Sequence, residues 1–398
     1  MSNKEERKAP VLRFKGFTDD WEQRKLNTYL SVSKLKNKEE RFSKQDVLSV
    51  SGDFGIVNQI KFQGRSFAGK SLSNYKIVKN GDIVYTKSPL KAAPYGIIKS
   101  NGGIPGIVST LYAVYTPKKS VDSKFVELFF NDQLRLNRYL KPIVNIGAKH
   151  DMKVKNDEVI NHFVTFPNKK EQLKISKLLQ KMDDVISLQQ QKNADIINLK
   201  KAILDKIFSN SNIQKWRDIR LNKVLSIPVD EPKEVTNIDD IISVKLNTQG
   251  ISKIPNRSTL KLGSTKYYVR HGGQFIFGKQ NFFNGSMAII PSKYDGKVSS
   301  KDVPSLNINK DIVMPYFLWL YLSRPSFYKK TERWATGTGS KRLHIKDLLS
   351  LKIYIPNKNE QLRICKLMQS LDTQILKSQK HLKELQSIKK FLLQNMFI

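Results

Sequence analysis

Apolar side chains recur at steps of three and four along two stretches of the chain, and the two stretches are copies of each other. Asn168 to Phe208 returns without a gap as Asn357 to Phe397. In the first copy the stripe reads Leu178, Met182, Val185, Ile196, Leu199, Ile203; in the second it reads Leu367, Leu371, Ile375, Leu382, Leu385, Leu392. That period predicts an amphipathic helix in each copy, with these side chains facing the other helix or a partner's helices. Each copy opens alike, as Pro167-Asn168-Lys169-Lys170-Glu171-Gln172-Leu173 and Pro356-Asn357-Lys358-Asn359-Glu360-Gln361-Leu362. Asn can cap the first turn and Glu, three residues on, can reach back to it. At a rise of about 1.5 Å per residue each helix runs to roughly 60 Å, too long for a small domain to cover, so the stripes are expected to pack on one another or on a partner.

Outside the helices the pattern changes to short β-rich runs separated by Gly, Asn and Pro. Examples are Ile77-Val78, Ile83-Val84-Tyr85, Ile97-Ile98 and Leu111 to Tyr115, followed by a helix over Phe125 to Leu140. The second block has its helix at Pro315 to Leu322. The blocks share framework points: Trp21 with Leu26 and Trp216 with Leu221; Gly81 to Lys87 and Gly273 to Lys279; and a Gly-basic loop at Asn145 to His150 and at Thr338 to Leu343. The expected architecture is α+β: two similar mixed α/β domains joined by two long antiparallel, coiled-coil-like helices, with an internal pseudo-twofold repeat. The segments are 1–167 (first domain), 168–212 (first helix), 213–356 (second domain) and 357–398 (second helix). A kept framework with varied residues between its fixed points is what two related binding modules with different targets look like.

Charge narrows the targets. Seventy Lys and Arg against thirty-five Asp and Glu give +35, the footprint of a polyanion binder. The excess lies in the blocks: 29 basic against 16 acidic side chains in residues 1–167, and 24 against 11 in residues 213–356. Each block could engage a polyanion alone. By charge and loop position the candidate polyanion contacts are Arg65, Lys87, Lys91 and Lys149 in the first block, and Arg257, Lys279, Gln280, Asn281, Lys341 and Arg342 in the second. For each of them a plain solvated charge is the competing reading.

The remaining chemistry is sparse. Gly64-Arg65-Ser66-Phe67-Ala68-Gly69-Lys70-Ser71 satisfies the formal P-loop pattern, but a P-loop needs a buried strand before it and a helix after it. Here Gln59-Ile60-Lys61-Phe62-Gln63 precedes it and Asn80-Gly81 follows closely, so a basic surface turn is expected. The histidines are scattered and Cys365 is the single cysteine, which leaves no recognisable metal site and no internal disulfide. No catalytic motif stands out. With no signal-like N-terminus and no long apolar run, a cytoplasmic protein without membrane contact is expected.

The segment Arg13-Phe14-Lys15-Gly16-Phe17-Thr18-Asp19-Asp20-Trp21-Glu22-Gln23-Arg24-Lys25-Leu26, joined to the twice-repeated Pro-x-x-x-Glu-Gln-x-x-Ile (Pro167 to Ile175, Pro356 to Ile364), resembles the specificity subunit of type I restriction-modification enzymes. The similarity spans nearly the whole chain. The resemblance implies two target recognition domains, each reading one half of a bipartite, asymmetric duplex DNA site, with the two helices as spacer. It implies a non-catalytic chain that binds no cofactor and docks two methyltransferase subunits carrying S-adenosylmethionine. Two restriction or translocase subunits using ATP and Mg can join such assemblies. The readings left open are a stand-alone DNA-binding regulator, an RNA-associated basic protein, and an ATP-using enzyme in which Lys70 matters.

Overall fold

The computed structural model describes residues 9–89, 93–146, 152–253, 265–337 and 340–398. The chain packs as two compact units, residues 1–191 with 380–398, and residues 192–379. Each is an α/β block together with part of both long helices.

In the first unit a four-stranded antiparallel sheet runs in the order Leu30–Val32, Tyr112–Pro117, Ile83–Thr86, Ile98–Ser100. Two ribbons flank it, Leu48–Ser51 with Gly55–Asn58 and Lys76–Val78 with Gly106–Val108, and a third, Glu22–Lys25 with Phe163–Phe166, closes the block at its ends. The single helix expected over Phe125 to Leu140 is two helices, Ser123–Phe130 and Gln133–Leu140. Asp132 breaks it, because its carboxylate caps the amide of Arg135 at 2.7 Å and starts a new first turn. Trp21, Phe125, Phe129 and Phe166 fill the core.

The second unit repeats this wiring. Its sheet runs Leu225–Ser226, Ser305–Ile308, Phe275–Phe277, Met287–Ile289, and Arg217–Arg220 pairs with Lys352–Ile355 as Glu22–Lys25 pairs with Phe163–Phe166. Even the isolated parallel bridge recurs, Val47 with Ile107 in one unit and Ile241 with Val298 in the other. The duplication read from the sequence is therefore a duplication of strand order and register.

The long helices are Lys169–Ile207 and Lys358–Asn395. Asn168 and Asn357 cap them, accepting from the amides of Glu171 at 3.0 Å and Glu360 at 2.9 Å. The carboxylates do not reach back as expected. Glu171, fully buried, forms a two-pronged ion pair with Arg13 at 2.8 Å, and Glu360 accepts from Trp216 Nε1 at 3.2 Å. The charged guanidinium of Arg13 is a stronger partner for Glu171 than the cap's own amide. The repeated Gln is the anchor. Gln172 donates to Pro167 O at 2.8 Å and accepts from the Asp122 amide at 2.9 Å; Gln361 does the same with Pro356 O at 3.0 Å and the Met314 amide at 2.9 Å. Both glutamines are fully buried, so each satisfies backbone groups that water cannot reach.

The helix faces need one correction. Ile175, Leu179, Met182, Ile186, Ile196, Ile203 and Ile207 turn inward in the first helix, and Ile364, Met368, Leu371, Ile375, Leu382, Leu385, Leu392 and Met396 in the second. Val185, Leu199 and Leu367 lie off this seam, 46%, 53% and 45% exposed, and Leu178 sits beside it, partly buried. Adjacent apolar pairs (Leu178-Leu179, Val185-Ile186) allow two stripes locally. Only one of them holds alternating steps of three and four along the whole helix, as a two-helix seam requires.

Within each unit the helix segments run antiparallel. In the first unit Ile175 and Leu179 share a core with Met396 and Phe397; in the second, Phe208 shares one with Ile364, Cys365 and Met368. Each helix thus starts in one core and ends, at a repeated Phe, in the other.

Candidate nucleic-acid interface

In the first block Lys87 follows the central strand Ile83–Thr86. Its Nζ donates to Val154 O at 3.0 Å, and burial lowers its affinity for a proton. Lys76, on the neighbouring ribbon, donates to Tyr112 O at 2.6 Å. Burial first, then the charges of Lys87 and Lys36, bring its pKa down to about 8. Lys36 bridges Lys76 across the strands. Three lysines are thus collected at one place, where an anion would relieve their mutual repulsion.

Arg65 is exposed, its guanidinium 4.6 Å from the Phe67 ring centre. The surrounding segment is a surface turn, as expected. The short helix Gln59–Gln63 precedes it and ends at Gly64 in the left-handed conformation. The Gln59 side chain takes the Phe67 amide at 2.7 Å and the Ser66 hydroxyl at 3.2 Å, groups that a phosphate loop would turn toward its ligand. Lys91 and Lys149 lie outside the described residues.

The second block is tighter. Lys279, Gln280 and Asn281 open the 3-10 helix Lys279–Asn284, which follows the central strand after Gly278. The Lys279 amide donates to Asp302 O at 2.9 Å, and Lys279 O accepts from the Leu343 amide at 2.8 Å. The Asp302 carboxylate lies 3.6 Å from Arg342. Lys279 therefore sits where burial lowers its pKa, Asp302 raises it, and Arg342, Lys301 and Arg270 lower it again. Gln280 is exposed; Asn281 Oδ1 accepts from Asn284 at 3.1 Å; Lys341 is paired with Glu332 at 2.7 Å. Arg257 lies outside the described residues.

The two clusters correspond. Lys87 and Lys279 each leave the central strand and meet the residue just after the Gly-basic hairpin, Val154 in one block and Leu343 in the other. The hairpins differ in length, closed by Asn145 with Lys153 in the first block and by Thr336 with Arg342 in the second. Sequence reasoning missed Lys76, Lys301 and Arg270. Arg270 is buried, its Nε donating to Ser299 Oγ at 2.7 Å, and it braces the segment that carries Asp302. Nothing in a strand-like Tyr-Tyr-Val-Arg run marks it as different from a surface arginine.

Among the described residues no group of His, Cys, Asp and Glu is placed to hold a metal ion, and no helix is long and apolar enough to cross a membrane. Cys365 is buried, and burial raises its thiol pKa.

Two α/β units of one design, each gathering basic and polar side chains beside a hairpin, form a class of basic duplicated protein suited to a polyanion. Residues 214–387 match the family model of the type I restriction modification DNA specificity domain. The fold is similar to the type I restriction-modification S subunit from M. genitalium, at 14% identity and a TM-score of 0.56, covering 98% of this chain and 99% of that one. It is also similar to a chain from a structural study of complex assembly and conformational transition in the type I R-M system, at 14% identity and a TM-score of 0.51, covering 94% of this chain and 96% of that one. Residues 214–387 are thus similar to the type I restriction modification DNA specificity domain, and the chain shares the fold of the S subunit from M. genitalium along nearly its whole length.

Proposed function

We infer that this chain reads a bipartite, asymmetric duplex DNA site, one half per α/β block, and brings methyltransferase subunits to it without catalysing a reaction itself. The observation that supports this is the pairing of identical framework with different readers. The central strand is followed by Lys87-Ser88-Pro89 in one block and, after Gly278, by Lys279-Gln280-Asn281 in the other, on the same sheet order. Identical scaffolds place two readers in equivalent poses; different side chains make the halves unlike.

In this reading Arg65, Lys87, Lys91 and Lys149 serve the first half-site and Arg257, Lys279, Gln280, Asn281, Lys341 and Arg342 the second. The exposed Val185, Leu199 and Leu367 suit contacts with methyltransferase subunits, which would carry S-adenosylmethionine. ATP and Mg would belong to restriction subunits where these join. Mapping methylated bases across the host genome with and without this gene tests the proposal. Loss of one gapped, asymmetric motif is expected; an unchanged map in cells making active methyltransferase would overturn it.

A further inference from the structure

A cleft of about 840 Å³ in the first unit mixes lysines with carboxylates, but a second cleft, in the other unit, has a single sign of charge. It measures about 780 Å³, and its charged lining is Arg220, Arg324, Lys330, Arg333 and Lys352, with no Asp or Glu. Of the five, only Lys352 has a carboxylate partner among the described residues, Asp218 at 3.0 Å, which lies outside the lining. Arg324 is held between the rings of Phe208 and Tyr321, 4.2 Å from each centre, and burial lowers its pKa. Its Nε and Nη1 donate to the carbonyl oxygens of Tyr321 and Phe208, and the guanidinium also hydrogen-bonds the Tyr321 side chain. Four of these cations are exposed and Arg324 is half-buried; gathered with no carboxylate in the lining, they favour a bound anion.

The cleft also carries rings. Trp334, 37% exposed and stacked on Arg333 at 3.9 Å, stands with Phe327 and Tyr354 in the same lining. A phosphate ester that brings its own flat ring matches both features, and the volume falls in the range of small-ligand sites, roughly 300–1,000 Å³. The first unit does not repeat the arrangement. By strand register Arg220 and Lys352 correspond to Lys25 and Phe163. The equivalent of Arg324 there, Arg135, also stacks on the repeated Phe, but its Nε donates to Ile398 O at 3.1 Å. The cleft is a divergence of the second block and not part of the shared framework.

We propose that this cleft is a nucleotide-binding site, with the phosphates on Arg324, Lys330 and Arg333 and the base against Trp334 or Tyr354. A duplex lying over the cleft would meet its rim cations only, because the backbone of a double helix cannot enter a space of this size to reach Arg324. The ligand is therefore a free nucleotide or a phosphorylated strand end, which share one chemistry. The helix Lys329–Trp334, which carries Lys330, Arg333 and Trp334, packs against Lys279–Asn284, and its Glu332 pairs with Lys341, so the cleft borders the candidate reading loops; nucleotide titration without target DNA tests it apart from the half-site reading.

Titration of the full chain with ADP and ATP, followed calorimetrically and by tryptophan fluorescence, tests it. One saturable site is expected, weakened at least tenfold in Lys330→Gln/Arg333→Gln and in Trp334→Phe, and unchanged in Lys70→Ala. Adenosine and tripolyphosphate should each bind at least tenfold more weakly than ATP. A 5′-phosphorylated single strand that displaces ADP would name the strand end as the natural source; failure to displace it would name the free nucleotide. No saturable binding up to about 1 mM, where the binding free energy has fallen to roughly −4 kcal/mol, would overturn the proposal. Binding that survives the double variant, or that is lost in Lys70→Ala, would also overturn it.

Discussion

Asp183 of the first long helix forms an ion pair with Lys389 of the second, and the same pair recurs with the roles exchanged, Lys200 of the first helix with Asp372 of the second. Asp372 is the repeat counterpart of Asp183 and Lys389 that of Lys200. One duplicated sequence, meeting itself antiparallel, therefore writes each bridge once in each unit. The pairs are partly exposed, and a bridge in that setting contributes about 0.5–1 kcal/mol. Asp183→Lys should lower the unfolding midpoint by a few degrees, and Asp183→Lys/Lys389→Asp should recover most of the loss. A double variant no more stable than the worse single one, in thermal unfolding, would show that the pair does not couple.

The pairing also says what was legible in the sequence. Helix starts, lengths and repeat register are local and periodic, so cap and stripe revealed them. The partners of Glu171 and Glu360 were not legible, because Arg13 and Trp216 reach them from distant chain. Nor was Trp21, whose indole N–H is buried without an acceptor among the described residues while its counterpart Trp216 has Glu360. The proposed reading residues stand out in the sequence only as basic and polar loop positions. That Lys279 is tied to Asp302 and Arg342, or that Lys76 joins Lys87, depends on strands that meet only in the fold.

Lys76 makes the first block sensitive to pH. Its folded pKa, about 8, lies below the ordinary lysine value of 10.5. The folded chain therefore sheds this proton at lower pH than the unfolded chain, so the destabilisation is full below about pH 8 and fades as pH rises from there toward 10.5. Lys76→Met should raise the unfolding temperature at pH 7 and lose that advantage by pH 10. DNA phosphate near Lys76 would restore its proton, so binding should weaken above pH 8 more in the natural chain than in the variant. Parallel unfolding and DNA-binding curves in the two proteins would contradict the assignment.

Replacing Lys279, Gln280 and Asn281 should alter one half of the methylated motif and leave the other half and the gap unchanged. Each bidentate base contact discriminates by about 1–3 kcal/mol, roughly tenfold to a hundredfold, so the affected positions should become degenerate. Methylome sequencing of the variant checks this. Simultaneous change in both halves would mean that the blocks do not read separately.

A heptad inserted into both helices, after Gln191 in the first and after Lys380 in the second, keeps the alternating three-and-four seam. At about 1.5 Å per residue it adds roughly 10 Å, close to three base pairs at about 3.4 Å each. The gap in the motif should lengthen accordingly with both half-sites intact. An unchanged gap in an active complex would remove the ruler role from the helices.

The most direct test of the whole account is to make the two readers the same. Residues 26–166 grafted in place of 221–355 give a chain with the first block twice, its Trp openings and both helices retained. On the proposed half-site reading, two identical readers joined by the internal repeat should read the same bases in opposite senses. Methylation mapping of cells carrying this chain with its methyltransferase should then show a palindromic gapped motif built from the first half-site alone. An active complex that still methylates the original asymmetric motif would contradict the account, since the sequence read would not reside in the blocks.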